Sequence, residues 1–297
     1  MLSTSTPRYT PATLVWIAFV LLTLTWGSSF ILIKKGLQSY STWQVATLRL
    51  VSASVIMIPL ALVYMRQIPK EKIQYVVLSS LLSMFIPAYL FCAGQTGLSS
   101  SIVGVLNALT PGFTFLVGVL FFHQRSRWIQ IAGLLLGLAG TLFLVLITAQ
   151  GTVVLNGYAI LIVLATVSYG FNINIIKNHL ASINPVHLTT VTVSISGLLA
   201  LLYSIVTHTD LLQITTPEEK TSFAAVVTLG IMGTAFAQLV FNSIIKVSSA
   251  VFSSSVTYFV PVIAVFWGVW DGEVLLLWHY LGILLIIVSV FILNKSR

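Results

Sequence analysis

The chain alternates apolar runs of roughly 20 residues with short polar breaks. About 20 mostly apolar residues carry a helix across the hydrocarbon core of a bilayer. By that measure the runs predict ten spans, over 12–33, 43–65, 73–94, 98–122, 128–148, 157–177, 185–207, 222–245, 249–270 and 276–294. Charged or polar breaks separate most of them: Lys34-Lys35, Arg66 to Lys72, Arg125-Ser126-Arg127, Asn178-His179, Thr207 to Lys220 and Asp271-Gly272-Glu273. Gly94 to Gly97 and Lys246 to Ser248 are turn-like but nearly uncharged, so reading through one of them would leave nine spans. The first run ends in Lys34-Lys35, where a cleaved signal would carry small residues, and it reads as a retained first helix.

Composition agrees with a membrane solvent. Of the 297 residues, 58% are hydrophobic and 7% charged, against about 25% charged in soluble domains. The net charge of +8 comes from basic residues in short loops, without the aromatic-interleaved basic stripe that a nucleic-acid groove needs. No nucleic-acid partner is expected. Cys92, the only cysteine, excludes an intrachain disulfide. With the N-terminus inside, inner segments hold ten Lys and Arg and outer segments three, which places both termini in the cytoplasm and favours an even count. The pair Lys34-Lys35 falls on the outer side, against that trend.

The chain also matches itself. A shift of 143 pairs Gly27 with Gly170, Lys34 with Lys177 and Leu37 with Leu180. A shift of 150 pairs Phe91 with Phe241, Ser99 with Ser249, Pro111 with Pro261, Gly118 with Gly268 and Trp128 with Trp278. Two repeats are expected, 12–148 and 157–294, each of five helices. Five is odd, so the second repeat enters the membrane from the opposite side. The fold class expected is an all-α integral membrane protein of ten helices in two inverted repeats, with a site near the midplane between them.

The run Trp26-Gly27-Ser28-Ser29-Phe30 is followed by Lys34. Arg49 lies in the second span, Thr110-Pro111 in the fourth, and Pro261, Gly268 and Gly272-Glu273 in and after the ninth. In order and spacing these resemble the drug/metabolite transporter superfamily, and within it the EamA-like carriers with two five-helix repeats. The resemblance covers nearly the whole chain. It implies export or import of amino acids, amines, nucleosides, sugars or drugs. One departure stands out: the Gly-Glu that ends the family's fourth helix is Phe122-His123 in this sequence.

Candidate chemistry is sparse. All six acids, Glu71, Asp210, Glu218, Glu219, Asp271 and Glu273, fall outside the spans or at their ends, which points to export or facilitated exchange without a membrane-embedded carboxylate. No phosphate-cradling loop or His-Glu-x-x-His motif occurs, so neither an enzyme nor a cofactor is expected. Polar and aromatic residues within the spans supply a candidate cavity: Trp26, Ser29, Tyr89, Asn107, Thr110, Ser168, Tyr169, Asn172, Gln238, Ser255 and Tyr258. The same residue types also serve interhelical hydrogen bonding. Pro111 and Pro261 remove a backbone bond at repeat-equivalent places and read as paired hinges or as passive kinks. Arg49, the one cation well inside a span, reads as a substrate contact or a side chain that snorkels outward. Lys34 and Lys177 read as gate residues or interfacial anchors.

The sequence therefore predicts a secondary carrier in the plasma (bacterial inner) membrane, a monomer or homodimer. It would move a small amino acid, amine or similar amphipathic metabolite by alternating access. A lipid or lipid-carrier flippase of the same fold is the alternative.

Overall fold

The computed structural model describes residues 12–124, 127–146, 156–212, 214–247 and 256–295. Among the described residues there are helices and turns and no strand. In chain order the rods are α1 (Ala12–Gly36), α2 (Thr42–Tyr64), α3 (Lys70–Gly94), α4 (Ser100–Phe122), α5 (Trp128–Leu146), α6 (Gly157–Leu180), α7 (Pro185–Val206), α8 (Pro217–Ile244), α9 (Val256–Trp270) and α10 (Leu277–Lys295). Seven of them, α1 to α4 and α6 to α8, are long and apolar enough to cross a bilayer, and shorter apolar helices run over Trp128–Gly137, Phe259–Trp270 and Tyr280–Ser289. Outward-facing Leu62, Leu120, Ile205 and Phe291 are each more than 60% exposed, a surface that suits acyl chains rather than water.

Local chemistry sets the helix starts. Ser41 and Gln44 form a reciprocal capping box at α2, as Thr216 and Glu219 do at α8. Ser99, Asn156 and Asn184 accept from backbone N–H groups at the starts of α4, α6 and α7. Pro185 and Pro217 sit in first turns, where a missing N–H costs nothing.

Packing relies on small residues, because a lipid solvent gives no hydrophobic reward for bringing leucines together. A Cβ on Gly27 of α1 would overlap Ile263 of α9, and a Cβ on Gly170 of α6 would overlap the backbone of Phe113 in α4. These two contacts are themselves related by the shifts, since Gly27 maps to Gly170 and Phe113 to Ile263. The larger contacts follow the same rule. Helix α1 packs on α9 and α8, as α6 packs on α4 and α3; α2 touches α8 as α7 touches α3. Helices α2 and α7, α4 and α9, and α5 and α10 pair with each other. Gly137 and Gly140 of α5 bring that helix close to α10 within one chain.

Several irregularities interrupt the helices. Pro87 has no N–H to give the Ser83 carbonyl, and over Leu81–Phe85 the helix widens to π geometry, the Ile86 N–H donating to the Leu81 carbonyl. A second wide segment, Leu229–Phe236, interrupts α8 at the repeat-equivalent place. Helix α4 breaks after Asn107 and restarts at Thr110. Pro111, expected in a helix interior, thus occupies the first turn of a new segment. The Thr110 hydroxyl donates to the Asn107 carbonyl at 2.7 Å, taking the place of the N–H that Pro111 lacks. Pro261 lies inside α9, where it deprives the Thr257 carbonyl of its usual donor.

Candidate functional site

The middle segments of α1, α2, α3, α4, α6, α8 and α9 enclose a cavity of about 910 Å³, counting the space at its mouth. Its walls are mostly aromatic and aliphatic: Trp26, Phe30, Ile33, Leu50, Met84, Phe91, Tyr169, Ile173 and Phe241. The polar lining is Ser29, Arg49, Ser83, Asn107, Thr110, Asn172, Thr234, Gln238 and Thr257. Apolar walls with a few oriented polar groups are the usual make-up of a small-molecule site.

Hydrogen bonds and ring contacts hold these groups in place. The Trp26 indole N–H donates to the Gly233 carbonyl at 3.2 Å, and its ring meets Phe241 edge-on at 4.9 Å. Ser79 Oγ donates to Asn172 Oδ1 at 2.6 Å. Gln238 Nε2 donates to Asn242 Oδ1 at 3.2 Å. Phe30, Phe91 and Tyr169 form a chain of rings with centroids 5.9 Å apart. The Arg49 Nε donates to Thr234 Oγ1 at 2.8 Å, tying α2 to the wide segment of α8.

A second cluster begins at the residue after Ile33, at the end of α1. Lys34 Nζ sits 2.8 Å from Asp271 Oδ2 and 2.9 Å from Glu273 Oε1, and Lys35 Nζ 2.6 Å from Asp271 Oδ1. Glu273 also accepts from the N–H and hydroxyl of Ser100 through Oε1, and of Ser101 through Oε2, at 2.6–3.0 Å. It thereby caps the first turn of α4, where free N–H groups and the helix dipole favour an anion. Burial by itself would raise its pKa; the two serine hydroxyls, Lys34 and the Ser101 N–H outweigh that and hold the carboxyl at about 2. Asp271 is lowered by its bonds from Lys34 and Lys35. The lysine pair that ran against the expected charge trend is matched by these two acids.

The opposite end of the bundle differs. The Gln124 N–H donates to the Gly118 carbonyl, as the Glu273 N–H donates to the Gly268 carbonyl. Gly118 and Gly268 are 150 apart, and a Cβ on them would meet the side-chain oxygens of Gln124 and Glu273 respectively, so Gln124, not His123, stands where Glu273 stands in the second half. His123 takes a left-handed conformation, φ 52°, as Gly272, the residue before Glu273, does at φ 84°. Gln124 Nε2 donates to Asn174 Oδ1 at 2.9 Å. Lys177 is exposed and, among the described residues, has no ion-pair partner.

Eight of the residues singled out from sequence line the one cavity: Trp26, Ser29, Arg49, Asn107, Thr110, Tyr169, Asn172 and Gln238. Tyr89 does not. It is two residues from Phe91 and faces away, its hydroxyl 2.8 Å from Thr47 Oγ1 and its ring among Trp43, Phe85 and Tyr203. Ser168 bonds back to the Leu164 carbonyl. Ser255 and the Tyr258 side chain lie outside the described residues. The reading from sequence missed Ser83, Thr234 and Thr257. Moving Asn107 by 150 would have found Thr257, because the cavity is lined in repeat pairs: Trp26 with Tyr169, Ser29 with Asn172, Phe30 with Ile173, Phe91 with Phe241, Asn107 with Thr257.

Known proteins align with this chain over most of its length. The model of the EamA-like transporter family matches residues 13–146 and again 156–295. The uncharacterized inner membrane transporter YedA of Escherichia coli is 24% identical over 284 residues, 94% of this chain and 90% of that protein. The probable terminal-alkyne amino-acid exporter of Streptantibioticus cattleyicolor is 29% identical over 127 residues, 42% of each chain. A protein crystal structure superposes with a TM-score of 0.67 at 16% identity, over 95% of this chain and 97% of that one.

Proposed function

Because this chain belongs to the EamA-like transporter family, we propose that it is a secondary carrier which moves a small amphipathic metabolite across the inner membrane by alternating access. The observation that carries this reading is the mid-bundle cavity lined by repeat-related pairs from both halves. Two five-helix repeats of opposite orientation, spanning the membrane ten times with both termini cytoplasmic, would place such a cavity on their pseudo-two-fold axis. The exchange-symmetric helix contacts support that arrangement.

In the alternating-access scheme, the cluster of Lys34, Lys35, Asp271 and Glu273 closes one mouth. Opening that mouth separates α1 and the start of α4 from the turn after α9. The break before Thr110 and the kink at Pro261 are the hinges that allow it. No acid lines the cavity, which supports export or facilitated exchange. The similarity to an amino-acid exporter places amino acids among the candidate substrates.

Purified protein is to be screened for thermal stabilisation by metabolites, since a ligand of the folded state raises Tm by mass action. The proposal expects hits that vanish in a folded Trp26→Ala variant, and proteoliposomes that exchange the same hits. Hits that survive Trp26→Ala unchanged, or that bind without being exchanged, would defeat it.

A further inference from the structure

We propose that Arg49, with Ser83, is the receptor for a carboxylate on the transported metabolite; the inference rests on the carrier reading above and narrows its substrate class.

Three observations meet at this place. First, the guanidinium lines the cavity without a counter-charge. Every acid of the chain lies in the described residues, and the ion pairs found among them belong to Lys34 and Lys35. An arginine cannot shed its proton to relieve the cost of burial, so its charge waits for an external partner or for water. Second, the Thr234 bond fixes Nε. Among the described residues this is the only hydrogen bond of the Arg49 side chain, which leaves both terminal amino groups free. Those two groups form the edge that grips a carboxylate through parallel N–H···O bonds. Third, Ser83 lines the same cavity and is 93% buried, and its hydroxyl has no hydrogen-bond partner. It sits in the widened segment of α3, and such segments recur at functional sites.

Symmetry sharpens the argument. Most of the lining comes in repeat pairs, but the shift of 143 puts Thr192 at the place of Arg49. Thr192 is buried and bonds within its own helix, to the Leu188 carbonyl. The one charge in the cavity is thus on one half only, as recognition of an asymmetric solute requires. Since no lining residue is acidic, an ammonium group finds no ionic partner, and a simple amine is expected to bind more weakly than a carboxylate.

The test uses four probes with a common body: phenylalanine, 3-phenylpropionate, phenylalaninamide and phenethylamine. Binding is read by thermal shift and titration on the full chain, and exchange in proteoliposomes. The two carboxylates are expected to bind and exchange, the amide and amine to do so more weakly. Arg49→Gln is expected to weaken carboxylate binding about 10- to 100-fold, the loss of one charge-assisted hydrogen-bonding group. Arg49→Lys, which keeps the charge, is expected to retain more affinity than Gln and guards against a mere folding defect. Ser83→Ala is expected to reduce affinity several-fold. Exchange of the amide or amine at carboxylate rates, or carboxylate binding unaltered in Arg49→Gln, overturns the inference and leaves the carrier reading standing. If none of the four binds or exchanges while wild type is folded, both the inference and the amphipathic-metabolite reading fall.

Discussion

Removing the charge of Glu273 tests how firmly one mouth of the bundle is held. In Glu273→Gln the side chain keeps its shape but exchanges an acceptor for an amide NH2. The wild-type carboxylate accepts from Lys34, from two backbone N–H groups and from two hydroxyls, and it is 7% exposed. Orienting the new carbonyl oxygen toward Lys34 and Ser100 aims the NH2 at Ser101. The Ser101 hydroxyl can rotate to accept, but its backbone N–H cannot and is left buried without an acceptor, at a cost of about 1–3 kcal/mol. The same network holds the carboxyl at about 2 rather than near its usual 4.3, corresponding to about 3 kcal/mol in favour of the ionised form. For a chain of this size a loss of about 1–3 kcal/mol is a fall in Tm of roughly 2–12 °C, read by intrinsic fluorescence in detergent. The pH dependence has a definite sign. A depressed carboxyl contributes its full stabilisation above about pH 4.3, where it would ionise in water, and loses it as pH falls toward about 2. Wild type is therefore expected to lose stability across that window more steeply than Glu273→Gln, while the two profiles run parallel between pH 5 and 7. A variant within 1–2 °C of wild type, with the same acid profile, would refute the claim that this network holds the mouth shut.

The helix contacts and the α4 break give two further expectations. Gly27→Ala and Gly170→Ala each force a Cβ into the facing helix, so each is expected to lower stability by about 1–3 kcal/mol, measured as a lower Tm; tolerance of both would mean that the halves meet more loosely than described. Thr110→Val removes the hydroxyl that serves the Asn107 carbonyl, with an expected loss of about 1–2 kcal/mol. Adding Pro111→Ala, which restores an N–H to that carbonyl, should recover part of the loss in the same melting assay.

What could be read from sequence follows from the solvent. In a bilayer every backbone group must be satisfied within its own segment, so apolar runs must become helices, and their lengths and breaks announce themselves. The match of the chain to itself at shifts of 143 and 150 was legible because glycine and proline have positional duties. Trp26, Asn107, Thr110, Tyr169 and Asn172 were identifiable because a neutral polar side chain in mid-membrane must face protein or a cavity. Helical periodicity could not say which neighbour each would meet, so Tyr89 was grouped with them although it bonds Thr47 instead.

Tertiary structure decided the rest. Lys34 and Lys35 find their partners 236 to 239 residues away, and no local pattern encodes that distance. It also showed that Gln124 rather than His123 occupies the first-half acid position, because His123 takes the left-handed place that Gly272 holds before Glu273. And it placed Arg49 beside Thr234 and in one cavity with the unpartnered Ser83. By itself the sequence determined that this protein lives in a membrane as packed helices, since that depends on composition and period alone. Which charges are neutralised and which one remains open to a ligand depends on distances between helices, and those exist only once the helices have packed.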